Sequence, residues 1–335
     1  MSKRKLSKQQ SERIKKKQRA LLDTVDMSDA QHGRILSHHG KELNVEYVDD
    51  QRQPQIKSCH FRANLESVVT GDQVLWCDEG DKGVVVSIEP RETLLQRPDS
   101  YGKLRPVAAN ISQLVIVIAP EPEAHHGLID RYLVAAENMG IKCLLVLNKA
   151  DLLQQTDYSA LLNLIASYRK IGYEVLTVSA HSGDGFEELQ SALNKEVSIF
   201  CGQSGVGKSS LIKKLLPDEE LKIGALSEAA TKGRHTTTHT QLFHFPSGGE
   251  CIDSPGIREF GLWHMDADDI LHGFVDLREH ALNCKFRNCQ HENEVQCGIK
   301  GAVSEGLLYK WRVDSYKRII QSLNDVKMKN QDKKR

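Results

Sequence analysis

A chain of 335 residues, 39% apolar and 27% charged, is long enough for two or three domains with their own cores, which excludes a fibrous or wholly disordered class. Its 45 basic and 45 acidic side chains cancel to a formal charge of zero, but nine lysines and arginines from Lys3 to Arg19 face only Glu12, so the zero hides a basic arm. No apolar run follows that arm and no stretch approaches membrane-spanning length, so a cytoplasmic protein with no membrane partner is expected.

Residues 1–32 read as a basic, disordered arm, and 326–335 as a smaller basic tail with Lys327, Lys329, Lys333, Lys334 and Arg335. Both offer charge to a polyanion such as a phosphate backbone, and both would equally well stay solvated. Between 33 and 95, short apolar runs at 34–36, 43–48, 55–57, 73–76 and 83–88 are separated by turn residues such as Asp49, Asp50, Gly71 and Gly80. Five short strands at that spacing predict a small barrel, with an OB-fold as the leading candidate. That fold commonly binds oligonucleotides, though few exposed aromatics can be picked out here. Arg91, Arg97 and Arg105, with Pro90, Pro98 and Pro106, predict an irregular basic linker. Cys59, Cys77, Cys143, Cys201 and Cys251 stand singly, the last three in apolar strands, and are expected to be small buried side chains rather than disulfide partners.

From Ile111 strands alternate with helices, the pattern of a parallel α/β sheet, over a domain expected to span 100–262. A buried strand at 114–119, a helix at 128–139 and a second buried strand at 143–147 lead into Asn148, Lys149, Ala150 and Asp151. A carboxylate at Asp151 can accept both the ring N–H and the exocyclic amine of guanine, which adenine does not offer together. Asn148 and Lys149 would brace the loop and cover the base. A site built for those donors leaves buried groups unpaired with the wrong base, worth discrimination on the order of 10⁴. The tetrapeptide is weak alone and strong at the C-terminal end of a buried strand, where open α/β sheets bind ligands. A helix at 158–171 and a strand at 174–178 then run into Ser179, Ala180 and His181, the second guanine contact, made by the Ala180 backbone.

After a helix at 186–194, alternating apolar Val197, Ile199 and Cys201 mark a strand, followed by Gly202, Gln203, Ser204, Gly205, Val206, Gly207, Lys208 and Ser209. This is G-x-x-x-x-G-K-S, and residues 210–216 after it have helical spacing until Pro217. The glycines let successive N–H groups point at the β-phosphate, and the helix start adds free donors. Lys208 would neutralise the β/γ-phosphates and Ser209 would give its hydroxyl to Mg²⁺, with Ser210 following in the GTP-binding set. Lys232, Gly233, Arg234, His235, Thr236, Thr237 and Thr238 form a polar stretch in which a threonine, Thr237 or Thr238, would complete the Mg²⁺ shell. Asp253 and Gly256 give D-x-x-G at a strand end, near Mg²⁺ and the γ-phosphate respectively.

Five guanine-nucleotide elements therefore occur in the order base, base, phosphate loop, switch I, switch II. A sheet can be cut and rejoined in this way because domain termini commonly lie close together. Switch II then leads directly into the C-terminal segment, to which nucleotide state would be transmitted. Ile257 stands where many GTPases carry a water-orienting glutamine, and an apolar side chain cannot orient water. His235 is the candidate for that role, although a lone loop histidine is usually only solvated.

In the last region, expected to be a helical domain over 263–325, Cys284, Cys289, His291 and Cys297 supply three thiolates and one imidazole. That is the number and softness for one closed, tetrahedral, structural Zn²⁺ site. Lys285, Arg287 and Lys300 surround it, and helices at 267–281 and 303–323 would pack around it, the latter with Leu308, Trp311, Ser315 and Ile319 on one face.

Taken together, the permuted order, G-Q-S-G-V-G-K-S-S, R-H-T-T-T, D-S-P-G-I-R-E-F and C-x₄-C-x-H-x₅-C resemble the ribosome small-subunit-dependent GTPase A (RsgA or YjeQ) family over about 33–323. The resemblance implies an α/β, circularly permuted Ras-like P-loop GTPase domain between an N-terminal OB-fold barrel and a C-terminal helical zinc domain. It implies a GTPase acting late in maturation of the 30S subunit, bound near the decoding region of 16S rRNA and stimulated by the subunit, and a monomer is expected. It also implies that His235 is the catalytic histidine of a class in which an apolar residue replaces glutamine. The alternative is an RNA-binding scaffold whose guanine-nucleotide site is slow or structural. A metal-delivery GTPase is disfavoured because the Cys/His site leaves no open position.

Overall fold

The structure, a computed structural model, describes residues 29–40, 42–62, 65, 67–99, 103–154, 157–217, 240–253, 262 and 265–332, with side chains as far as 325 except at 39 and 98. It divides into two compact units, Met1–Arg91 and Glu92–Arg335. The basic arm expected over 1–32 lies almost wholly outside the described residues.

In the first unit the five expected strands are β1 (Gln31–His39), β2 (Glu42–Val48), β3 (Pro54–Phe61), β4 (Gln73–Asp78) and β5 (Gly83–Ile88). Antiparallel pairs β1–β2, β2–β3, β4–β5 and β1–β4, with the parallel pair β3–β5, close them into an OB-like barrel with no open edge. Alternation along β2 sends Leu43 and Val45 inward to join Ile35, Cys59, Val74, Trp76 and Val85. Gly83 is glycine because Trp76 fills the space beside it: a Cβ there would lie 2.6 Å from the indole. Arg91 closes the unit with two hydrogen bonds to the buried Asp72 carboxylate, at 2.6 and 2.8 Å. Burial pushes the Cys59 thiol up to about 11, as expected of an inert core cysteine.

The second unit departs from expectation at its start. The stretch expected to be an irregular linker is an antiparallel hairpin, β6 (Leu94–Pro98) and β7 (Leu104–Ala109). Leu95, Ala108 and Ala109 are buried, and Pro106 sits opposite Gln96, where the register shifts. A proline that would break a regular ladder is tolerated at such an irregularity.

The α/β layer follows with β8 (Gln113–Ile118), α1 (His126–Met139), β9 (Lys142–Leu147), a 3₁₀ turn (Ala150–Gln154), α2 (Ser159–Ile171), β10 (Glu174–Thr177) and α3 (Phe186–Leu193). Then come β11 (Val197–Cys201), α4 (Lys208–Leu215), β12 (Gln241–His244) and β13 (Glu250–Asp253). The strand order is β10-β9-β8-β11-β13-β12, all parallel except the terminal β12. Every residue of β8 is buried, as are residues 198–201 of β11, because helices cover both faces. The alternation expected in β11 is therefore absent. The parallel order brings the ends of β8, β9, β10, β11 and β13 to one edge of the sheet, although their loops are scattered along the chain.

The C-terminal helices also differ from expectation. The helix predicted over 267–281 is two, α5 (Ala267–His272) and α6 (Val275–Ala281). Gly273 separates them where the chain presses on α1, and a Cβ there would lie 2.7 Å from the Val134 Cα. The helix predicted over 303–323 is α7 (Gly298–Ser304) and α8 (Lys310–Asp332), parted near Gly306 at φ 74°. Leu308 therefore precedes α8 rather than lying on its face, and α8 runs into the segment expected to be a tail. Ile270, Phe274, Leu277, Ile299, Tyr316 and Ile319 form one core with Val134 and Ala135 of α1.

That packing encloses a charged node. Arg312 of α8 is fully buried; its Nη1 meets Asp130 of α1 at 2.5 Å, and its Nη2 and Nε meet Asp276 of α6 at 2.7 and 3.1 Å. The Tyr168 hydroxyl of α2 donates to Asp130 at 2.7 Å, and the guanidinium lies 4.3 Å from the centre of the Phe274 ring. Four helices meet at one satisfied cation. Among the described residues no helix is long and apolar enough to cross a membrane.

Candidate functional site

Three loops at the C-terminal edge of the sheet are joined by one side chain. Asn148, at the end of β9 and 1% exposed, donates from Nδ2 to the Val206 carbonyl at 2.9 Å and accepts the Ala180 N–H on Oδ1 at 3.1 Å. The loops after β9, β10 and β11 are thereby locked together. An asparagine does this because its amide offers a donor and an acceptor in one plane.

The loop after β11 is shaped by its glycines. Gly202 has φ 137°, and a Cβ on it would lie 2.2 Å from the Val117 carbonyl oxygen. Gly207 has φ 94°, and a Cβ there would meet the Asn148 amide at 2.3 Å. Both therefore provide a left-handed backbone and close approach at once. Between them Gln203 is half-buried, Ser204 and Gly205 are exposed and Val206 is buried. α4 begins at Lys208, earlier than the helical spacing suggested, with Ser209 and Ser210 exposed on its first turn. The Lys208 ammonium folds back over the loop and donates to the Gly202 and Gln203 carbonyls at 2.8 and 2.7 Å. The cradle thus carries a cation and the unsatisfied N–H groups of a helix start, which suits a phosphate chain.

On the base side, the Ser179 hydroxyl donates to Asp151 Oδ1 at 2.5 Å and accepts from the Ser182 N–H at 3.0 Å. That hydroxyl bond is the main reason the Asp151 carboxyl is held below its ordinary range, so it is an acceptor at neutral pH. Lys149 adopts φ 61°, and its Nζ donates to the Glu121 carbonyl at 2.7 Å. Ala150 opens the 3₁₀ turn that carries Asp151. Asp253 ends β13 at the same edge of the sheet. His235, Thr237, Thr238 and Gly256 lie outside the described residues.

A second cluster lies beside the core formed by the C-terminal helices. Cys284, Cys289, His291 and Cys297 offer ligand atoms that all lie within 4.8 Å of one another, a set able to coordinate a metal ion. His291 Nδ1 stands 3.6 and 3.5 Å from the Cys284 and Cys297 sulfurs, and the Gly298 N–H donates to Cys284 Sγ at 3.3 Å. The latter is the kind of outer contact that holds a thiolate in place. Burial keeps the His291 pKa below its ordinary value, which favours the neutral imidazole a metal needs. Cys59, Cys77, Cys143, Cys201 and Cys251 are all free thiols.

Sequence reasoning missed Glu121, Tyr158 and Arg312. Glu121 follows β8 at the same edge as the other loops, so strand order could have flagged it. Arg312 carries no local signal.

Comparison with known proteins agrees with this geometry. The RsgA GTPase family profile matches residues 88–263. The small ribosomal subunit biogenesis GTPase RsgA of Saccharophagus degradans is 50% identical over 98% of this chain and 99% of its own length. The protein of the same name from Pseudomonas fluorescens strain Pf0-1 is 49% identical over 96% and 98%. Among solved structures, YjeQ from Thermotoga maritima superposes with a TM-score of 0.70 at 30% identity, covering 88% of this chain and 98% of that one. YloQ, a circularly permuted GTPase, gives 0.70 at 27% identity, covering 88% and 96%.

Proposed function

Because this chain belongs to the RsgA GTPase family, we propose that it hydrolyses GTP to GDP and phosphate as a late assembly factor of the small (30S) ribosomal subunit, which stimulates it through contacts with 16S rRNA. The observation that carries the nucleotide half of this reading is the Asn148 bridge, which joins a phosphate loop to two base-recognition loops. The assembly half rests on likeness to small ribosomal subunit biogenesis GTPases matched over nearly their whole length.

The division of labour follows from chemistry. Gly202, Gln203, Ser204, Gly205, Val206 and Gly207 offer backbone N–H groups to the β-phosphate, and Lys208 would leave its carbonyl partners for the β/γ-oxygens. Asn148 and Lys149 frame the base, with Ala150 setting the turn. Asp151 accepts from guanine, and Ser179 and Ala180 support it from the neighbouring loop. Ser209, with Thr237 or Thr238, would hold Mg²⁺ with Asp253 near it, and Ser210 and the Gly256 N–H would complete the phosphate side. When bound, Mg²⁺ would neutralise charge developing between the β- and γ-phosphates. His235 would orient the attacking water in place of the glutamine this sequence lacks.

Around that site we assign 33–95 to an OB-fold barrel, 100–262 to the permuted GTPase domain and 263–325 to a helical domain holding one structural Zn²⁺ on Cys284, Cys289, His291 and Cys297. The basic segments 1–32 and 326–335 flank them. The protein would work in the cytoplasm as a monomer.

The test is single-turnover GTP hydrolysis with and without purified 30S subunits. The proposal predicts strong stimulation, and a sharp fall in turnover with little change in GDP affinity for His235→Ala. Identical rates with and without subunits would overturn it.

A further inference from the structure

The turn between β8 and α1 touches the loops after β9 and β11 and the start of α2. The Glu121 carbonyl accepts the Lys149 ammonium at 2.7 Å, and its carboxylate accepts the Tyr158 hydroxyl at 3.0 Å. Pro122, the next residue, stands over the phosphate loop: a Cβ on Gly205 would lie 3.5 Å from its Cδ. Three separate segments of chain therefore converge on two consecutive residues.

Two details argue that this convergence has a task. Lys149 holds φ 61°, a conformation that costs a lysine energy and persists only where neighbours enforce it. Tyr158 occupies the N-cap of α2 yet makes no capping bond with its side chain, which reaches Glu121 instead. Lys149 is the residue whose aliphatic stem would lie across the purine. A stem anchored only at its own Cα sweeps freely, whereas one tied at Nζ to the turn after β8 forms a closed bar over the base.

We propose that Glu121 and Tyr158 are positioning residues that hold this turn as a strap, fixing Lys149 across guanine and slowing nucleotide release. The inference rests on the reading of Asp151 and its neighbours as the guanine site. The strap acts on the flat face of the base and Asp151 on its hydrogen-bonding edge, so the two are separable. Loosening the strap shortens residence for any purine that fits. Losing Asp151 erases the preference for guanine over hypoxanthine, which lacks the exocyclic amine.

The experiment is stopped-flow dissociation of GDP and of IDP from the full-length protein. Tyr158→Phe and Glu121→Ala are each expected to speed GDP release about three- to tenfold, the range for loss of one partly exposed hydrogen bond to a charged or polar partner. Glu121→Gln keeps an acceptor for the hydroxyl and should restore most of the slow release. The ratio of GDP to IDP release should stay as in the wild type for all three, and the melting temperature of the nucleotide-free protein should move by less than about 2 °C, since a surface pair contributes little to folding. Unchanged GDP release in both Tyr158→Phe and Glu121→Ala would overturn the strap, as would faster release that merely tracks a lowered melting temperature. In Asp151→Asn the ratio should collapse towards one. If it does not, the guanine-site reading fails, whatever the strap variants do.

Discussion

Replacing Arg312 by alanine removes the only cation among the described contacts of Asp130, a carboxylate with no exposed surface. The guanidinium bonds to Asp130 and, through two nitrogens, to Asp276, and it covers the Phe274 ring. Deleting one member of a buried ion pair costs about 3–5 kcal/mol, chiefly because the remaining charge is stranded. The Tyr168 hydroxyl still donates to Asp130, which keeps the cost from running higher. For a unit of this size each kcal/mol lowers the melting temperature by about 2–4 °C, so a fall of roughly 6–20 °C is expected in scanning calorimetry. The pH dependence has a definite sign. Burial raises the Asp130 pKa and Arg312 is the largest opposing influence, so without Arg312 the carboxyl rises further. A carboxyl whose folded pKa lies above its unfolded value favours the fold while protonated and loses that contribution as pH rises. The penalty in Arg312→Ala should therefore shrink on acidification from pH 8 towards pH 5, and Arg312→Ala with Asp130→Asn should recover part of the loss. A cost below about 1 kcal/mol, or a penalty independent of pH, would refute the reasoning, because the node would then be worth no more than a surface pair.

Other expectations concern the nucleotide and metal sites. Lys208→Ala should abolish turnover, measured as phosphate release, because no other described cation folds over the phosphate loop. Gly202→Ala should weaken GDP binding at least tenfold by equilibrium titration, since its Cβ would meet a backbone oxygen at 2.2 Å in a left-handed conformation. Asp151 needs its negative charge to accept from guanine and is held below the ordinary carboxylate range by Ser179. The preference for guanine over hypoxanthine, in which the titration of the nucleotide's own phosphates cancels, should persist as pH falls from 8 to 5 and be lost only as pH drops through that lowered value. In Ser179→Ala the loss should begin at higher pH. Chelation of a bound metal should expose the Gly298 amide to hydrogen exchange, because its N–H rests on the Cys284 sulfur.

What the sequence made legible is what local chemistry encodes. G-x-x-x-x-G-K-S needs those glycines wherever it occurs, and the short apolar runs at β8 and β9 fit buried strands, so the core of the site is readable from the chain itself. The barrel was legible from strand spacing, and its closure from the OB-fold expectation. Contacts made between distant segments were not. Arg312 meets Asp130 across 182 residues, and neither stands in a pattern that announces a partner. The break at Gly273 comes from pressure of α1 on the chain, which helical periodicity does not register. The hairpin at β6 and β7 was masked by prolines that a register shift accommodates. Glu121 reads as an ordinary surface acid until strand order puts it beside Lys149.

The central claim is that loops from three places in the chain, tied by Asn148, enclose one guanine nucleotide. Calorimetric titration of GTP and ATP into wild type and Asn148→Ala tests it most directly. The account predicts GTP binding at least a thousandfold tighter than ATP in the wild type, by the discrimination a hydrogen-bonded base site gives, and loss of most GTP affinity in Asn148→Ala. Comparable affinity for the two nucleotides, or an Asn148→Ala variant that binds GTP as the wild type does, would contradict it.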